Sequence, residues 1–347
     1  MMKLQCLILI LAACSSAGAA APTADPEKSA SEMITPAAQR GIDQGLQWLS
    51  SRQNDDGSFG AGAQRGNAAV CGLCGMAFMS GGSTPGRGPY GDRVQRAVDY
   101  LLAVAQPSGF LCESVPTTQG PMYSHGFATL FLAECYGMSP RADLRDKLSR
   151  AVKLIVNTQN KEGQGAGGWR YYPKIEQQAD ISVTVCQVMA LRAANNAGIA
   201  VPGDTITRAV KYITQSQNHD GGFVYMLSAG GESEFPRSAA AVVALNCAAY
   251  EGPEIAKGLD YLTQFRPDPN VVRREQWYEY GHYYAVQAMW QAGGQRWARW
   301  YPAVRDDVLG RQRSDGSWLS AYGAEYATAM CLLVLQMPEN QLPIFQR

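Results

Sequence analysis

Charge of either sign is scarce and balanced in this chain, and histidine is rarer still. Thirty Lys and Arg stand against thirty Asp and Glu in 347 residues, and there are three His. No basic run occurs, so nucleic acid is not expected as a partner. No apolar run reaches the ~18 residues of a membrane span. No alternating run of strand period competes with helical spacing. Cys71-Gly-Leu-Cys74 has the spacing of a metal or redox pair, but it lacks a second CxxC and a following His and lies in an apolar run, so neither a metal nor a cofactor is expected.

What is present is a repeat. The phrase Gln-x-x-x-Gly-x-aromatic reads Gln53 to Phe59, Gln217 to Phe223 and Gln312 to Trp318. Gln159 and Gly163 keep its offset, with an insertion that delays the aromatic to Trp169, and Gln106-Pro-Ser-Gly109-Phe110 reads as a copy one residue shorter. A fifth copy is eroded. The interval of roughly 50 residues is that of one repeated supersecondary unit.

Segments before each phrase share a helical pattern with one wet face. They contain Gln44–Leu49, Arg96–Leu101, Arg150–Ile155, Arg208–Ile213 and Lys257–Leu262, with Val304–Gln312 in sixth place. Segments after it are apolar nearly all round: Ala68–Met79, Gly126–Tyr136, Ile181–Ala194, Ser238–Tyr250, Tyr283–Gln291 and Glu325–Gln336. Such helices are buried. Six hairpins of wet helix, glycine turn and dry helix predict an all-α (α/α)6 toroid, with the dry helices inside. The turn Gly supplies a positive φ, the aromatic packs between hairpins, and the Gln satisfies backbone groups at helix ends.

The N-terminus reads as an export signal. Met1 to Lys3 precede the apolar run Cys6 to Ala13, and Leu11-Ala-Ala-Cys14 has the form of a bacterial lipobox. The expected organisation is a lipoprotein signal at 1–13, lipidation at Cys14, a tether at 14–35, the toroid at 36–338 and a tail at 339–347. Cleavage after Ala21, giving a secreted or periplasmic soluble protein, is the rival. Membrane contact is expected only through the lipid, at the periplasm or outer membrane. Of the seven Cys beyond Cys14, six fall on expected inner helices as small core residues.

The turn phrases, with Met122–Glu134, Gly167–Tyr171, Asp180–Leu191 and the terminal Leu342–Gln346, resemble the prenyltransferase and squalene-cyclase repeat family, across nearly all of residues 40 to 338. More narrowly they resemble single-domain exported bacterial members common in planctomycetes. The resemblance implies an (α/α)6 toroid. It implies the cyclase DxDD-Thr motif at Asp180-Ile-Ser182-Val183-Thr184, where the first Asp and the Thr match and the other two acids do not. It implies a zinc set of Asp, Cys and His for protein prenylation. Only His282 fits loosely, and Asp315 has no Cys two residues on.

Polar residues near the starts of inner helices should gather at one mouth of the central cavity. His125, Asp180 and Glu234 are the candidate catalytic residues. Tyr123, Trp169, Arg170, Tyr171, Ser182, Arg237, Tyr280, His282, Glu325 and Tyr326 are the candidate ligand-binding residues. The expectation is an exported toroid of undetermined activity that binds a small or oligomeric ligand, or a protein partner, through its cavity. The alternative is an enzyme on an isoprenoid or a carbohydrate that uses cavity-rim acids, with Asp180 and Glu234 as an acid/base pair.

Overall fold

The computed structural model describes residues 31–113, 120–139, 141–271 and 276–346. The signal, Cys14 and most of the tether lie outside the described residues. Twelve α-helices and no strand occur among the described residues. In chain order they are α1 Pro36–Ser51, α2 Ala68–Ser80, α3 Gly91–Val104, α4 Pro121–Met138, α5 Ala142–Thr158 and α6 Ile181–Asn196. Then come α7 Gly203–Gln215, α8 Phe235–Cys247, α9 Pro253–Thr263, α10 Tyr278–Ala292, α11 Gly294–Gly310 and α12 Ala324–Leu335.

Even-numbered helices form the inner ring. Each packs on the even helices before and after it, and α12 packs back on α2. Odd-numbered helices lie outside, each against the two inner helices it straddles. Burial follows the sequence pattern. Helix α5 buries Leu144, Leu148, Ala151, Val152 and Ile155 along one stripe and leaves its charged face in water. Helix α8 buries every residue from Ser238 to Leu245. Local chemistry starts several helices: Thr35 Oγ1 accepts from Ala38 N–H, Asn67 caps α2, and Pro occupies the first turn of α1, α4, α8 and α9.

The turn phrase is the joint between neighbouring hairpins. Gln53 Nε2 donates to Gly57 O within its own turn and to Arg93 O at the start of the next outer helix, both at 2.9 Å. Gln217 does the same to Gly221 O and Glu254 O, and Gln312 to Gly316 O and Gly41 O, the last bond closing the ring. The turn glycines, Gly57, Gly109, Gly167, Gly221 and Gly316, have φ between +87° and +93°. A Cβ there would lie 2.0–2.7 Å from a carbonyl oxygen of the next outer helix. Glycine is thus needed both for the left-handed backbone and for close approach.

Two copies of the phrase are corrected by these bonds. In the third hairpin Gln159 donates to Gly167 O and Thr205 O, both at 2.9 Å. Gly167, not Gly163, is therefore the joint, and the inserted residues lie between the Gln and its glycine. In the second hairpin Gln106 N donates to Phe110 O, as Asn54 N does to Ser58 O and Asn218 N to Gly222 O. The copy is full length. Ala105 stands in the Gln position, and Leu111, two residues past Gly109, stands in the aromatic position.

In five of the six hairpins a second bond ties the turn to its own inner helix. The N–H two residues past the glycine donates to a side chain in the first turns of that helix. Phe59 donates to Cys71 Sγ, Leu111 to His125 Nδ1, Trp169 to Thr184 Oγ1, Phe223 to Ser238 Oγ and Trp318 to Thr328 Oγ1, at 2.9–3.1 Å.

These joints predict which glutamines matter. Gln312→Ala should destabilise by about 2–4 kcal/mol, since two buried carbonyls lose their donor. The exposed Gln106→Ala should change stability by about 0.5 kcal/mol or less. Gly221→Val should cost roughly 3 kcal/mol or more. Urea unfolding of the three variants checks the order.

Candidate functional site

All six inner helices run in one direction, so their N-termini, and the turns that feed them, surround one mouth of the ring. Six helix N-termini make this end electropositive and receptive to acids. Asp180 is the N-cap of α6: its Oδ1 accepts from Val183 N–H at 2.8 Å. The side chain is fully buried, and Oδ2 has no hydrogen-bond partner among the described residues. Burial pushes its pKa up to about 7, against the pull of Val183 N–H, the Arg170 charge and the nearby Tyr225 hydroxyl, which approaches the carboxylate without making a hydrogen bond of good geometry.

Tyrosines surround this acid. The Tyr123 and Tyr171 rings lie 6.3 Å apart, and the Tyr171 hydroxyl meets that of Tyr225. Tyr123 has Asp180, Tyr280 and Tyr225 among its electrostatic neighbours. Tyr280 reaches from α10 toward Cys186 and Ser182 on α6 and toward Tyr326 on α12. Arg170 lies 4.8 Å above the Tyr171 ring, with Nη1 on Met226 Sδ at 2.6 Å. Tyr123, Arg170, Tyr171, Ser182, Tyr280 and Tyr326 are all partly exposed. The structure therefore brings together seven of the sequence candidates: Tyr123, Arg170, Tyr171, Asp180, Ser182, Tyr280 and Tyr326.

The others lie elsewhere. His125 holds the turn anchor of the second hairpin, with Nδ1 accepting from Leu111 N–H at 3.1 Å and Nε2 3.3 Å from Ala151 O. Burial lowers its pKa to about 4, so the ring is neutral, with the proton on Nε2. His282 occupies the matching position in the fifth hairpin, among Phe235, Tyr278 and Trp300. Trp169 turns outward, donating to Ile155 O at 2.7 Å as Trp318 donates to Val308 O. Glu234 is 54% exposed and pairs with Arg237 at 3.2 Å. Arg237 also donates to Phe223 O and Glu232 O, near the Tyr225 ring. Glu325 is buried and pairs with Arg52 at 3.2 Å.

Tyr225, Glu113 and Glu279 are among the mouth residues that the sequence candidates did not include. Tyr225 stands two places past the phrase aromatic, the position of Tyr171 in its own copy; with both copies in register, that match would have found it. The same position in the second hairpin is Glu113, buried, whose carboxylate accepts from Asn67 Nδ2 and Ala68 N–H and so caps α2. Glu279, half-buried beside Tyr280, had no sequence signal beyond its place in the first turn of α10.

Below the mouth the axis is filled. Cys186 Sγ lies 3.7 Å from Tyr284 Oη, joining α6 to α10. Phe127 and Tyr283 rings follow at 6.3 Å, and Tyr283 meets Phe345 at 6.4 Å. Phe345 belongs to the segment after α12, which folds back under the ring. Trp290 Nε1 donates to Phe345 O at 3.0 Å, and Ile344 N–H donates to Glu134 Oε2 at 3.3 Å. Burial raises the Glu134 pKa to about 8. Two clefts of about 550 and 570 Å³ lie on the outside of the ring, away from these residues.

No family model and no curated protein sequence matches this chain. Solved structures match it over most of their length. The type II terpene cyclase MstE from Scytonema, in complex with geranylgeranyl dihydroxybenzoate, is 15% identical with a TM-score of 0.60, over 88% of this chain and 98% of that one. An inactive variant of the α-1,6-mannanase GH76A of Salegentibacter sp. HEL1_6, in complex with α-1,6-mannotriose, is 8% identical with a TM-score of 0.65, over 88% of this chain and 99% of that one. At such identities the likeness is one of fold. The chain is an α/α toroid, the fold that the repeat resemblance implied and that a terpene cyclase and a mannanase both share.

Proposed function

We propose that the chain is a ligand-binding toroid whose tyrosine-lined mouth holds a small or oligomeric ligand, with Asp180 as the group that meets it. The observation that carries this reading is Asp180 Oδ2, buried and without a hydrogen-bond partner among the described residues, beside partly exposed tyrosines. An orphaned buried polar atom costs about 1–3 kcal/mol, and such groups concentrate where a ligand completes them. Among the described residues, the exposed large hydrophobic side chains Tyr172, Ile175, Val271, Trp277 and Leu319 also lie on turns that feed inner helices.

Acid strength argues against alkene protonation. A carboxyl group with a pKa near 7 is a weaker donor than an ordinary one, and protonating carbon needs a stronger acid. The pair of Asp180 with Glu234 is not supported either, because Glu234 is exposed and held by Arg237. Placement at the cell envelope through a lipid on Cys14 belongs to the same proposal.

Three outcomes follow. Mass spectrometry of natively purified protein should find a small molecule released by wild type and depleted in Asp180→Asn; equal recovery from both would sink the reading. Asp180 is protonated to higher pH when folded than when unfolded, so stability should fall as pH rises from about 4 to about 7. Asp180→Asn should keep a few kcal/mol of what wild type loses between pH 5 and 8, about 1.4 kcal/mol per pKa unit. Glu134 acts in the same direction and leaves a residual slope. Cys14→Ser should release the protein from the membrane fraction.

A further inference from the structure

Trp277 is the odd residue at this mouth. It caps the N-terminus of α10 with φ +62° and ψ +41°, a left-handed conformation that bulky side chains rarely adopt. It is nevertheless 43% exposed. Its ring stacks on Tyr322 with centroids 5.0 Å apart and 19° between planes. Tyr322 in turn meets Tyr326 edge-on at 5.7 Å, so the aromatic surface runs from the rim to the axis. Glu279 lies beneath it, an electrostatic neighbour of both Tyr322 and Tyr326. No ion pair holds the Glu279 carboxylate among the described residues. Burial raises its pKa, with Arg311 and His282 pulling it down.

This wall faces the first one across the axis. Tyr123, Tyr171 and Tyr225 flank Asp180 on the α4–α6 side; Trp277, Tyr322 and Tyr326 flank Glu279 on the α10–α12 side. Each wall offers flat aromatic surface beside a carboxyl group. Strained backbone under a solvent-facing aromatic is retained where it serves contact, because burial does not account for it.

We infer that the mouth is a carbohydrate site, in which a sugar ring lies on the Trp277–Tyr322 platform and its hydroxyls bond Glu279 and Asp180. The inference rests on the ligand-binding reading above and names the class of ligand. Sugar rings present C–H faces that pack on aromatic surfaces and hydroxyls that need carboxylate and phenol partners, and these walls supply both. A long isoprenoid chain needs an enclosed apolar sleeve, whereas here the floor is closed at Cys186 and Tyr284. The seat lies above that floor, and its rim residues Trp277 and Tyr322 are themselves in contact with solvent.

The test is an array of neutral, amino and acidic oligosaccharides of three to six residues, probed with purified protein. Wild type should bind one class. Trp277→Gly relieves the left-handed strain, so it should melt no lower than wild type yet bind at least tenfold more weakly. Trp277→Phe should retain most binding, and Glu279→Gln should weaken it severalfold. Trp48→Phe, on the outer helix α1, should match wild type. If wild type ignores every oligosaccharide but carries a lipid that Asp180→Asn loses, the carbohydrate class is wrong and the mouth reading stands. If oligosaccharides bind equally to wild type, Asp180→Asn and Trp277→Gly, both are wrong.

Discussion

One carboxamide, donating two protons to two carbonyls on different hairpins, sets the geometry of this ring. At Gln53, Gln159, Gln217 and Gln312 it ties a turn to the helix that follows it in the circle. The turn glycine permits this, because a side chain there would strike the next helix's carbonyl. The mouth inherits its shape from these joints. Tyr171 and Tyr225 stand two residues past the phrase aromatic, and their carbonyls accept from Met122 N–H and Ile181 N–H, the starts of the preceding inner helices. The side chains at the mouth are thus held by the same turns that hold the ring.

The sequence made the hairpins legible because burial writes a strong periodic signal. A wet stripe on Arg150–Ile155 and an apolar run on Ser238–Leu245 leave little choice of partner. Register was harder. Gln106 imitates the phrase Gln one place too late, and only the backbone bond to Phe110 separates the two readings. Gly163 imitates the turn glycine at the expected offset, yet a Cβ on it would meet nothing, while one on Gly167 would strike Arg208 O. At the site, Asp180 and the tyrosines of the inner helices were legible from position alone. His125 was misleading for a physical reason: its acceptor nitrogen does the work that a hydroxyl or thiol does at Thr184, Ser238, Thr328 and Cys71, so a titratable residue fills a structural post. Glu279 and Trp277 could not be read, because what marks Trp277 is its backbone conformation and its stack on Tyr322, and what marks Glu279 is the nearness of Tyr322 and Tyr326.

Two buried acids lie at opposite ends of the filled axis. Asp180 caps α6 beneath the tyrosines of the mouth; Glu134 faces the segment after α12 and accepts from its Ile344 N–H. The same desolvation raises both, but the bond from Ile344 N–H to Glu134 comes from the segment that closes the lower end, whereas Asp180 Oδ1 is held only by the first turn of its own helix. That asymmetry is why the upper end reads as a place for a visitor and the lower end as a stopper made by the chain itself.

The bond from Gln312 to Gly41 spans 271 residues. A ribosome delivers α1 and α2 long before α11 and α12, so the first hairpin waits with one apolar flank bare while the others assemble beside it. Stacked repeats with free ends can grow one unit at a time, but a circle gains its final seam only when both ends meet. Until then the flanks of α1 and α2 are a surface on which a second unfinished chain could settle in place of α11 and α12, and exchange of hairpins between copies is the mistake this architecture invites.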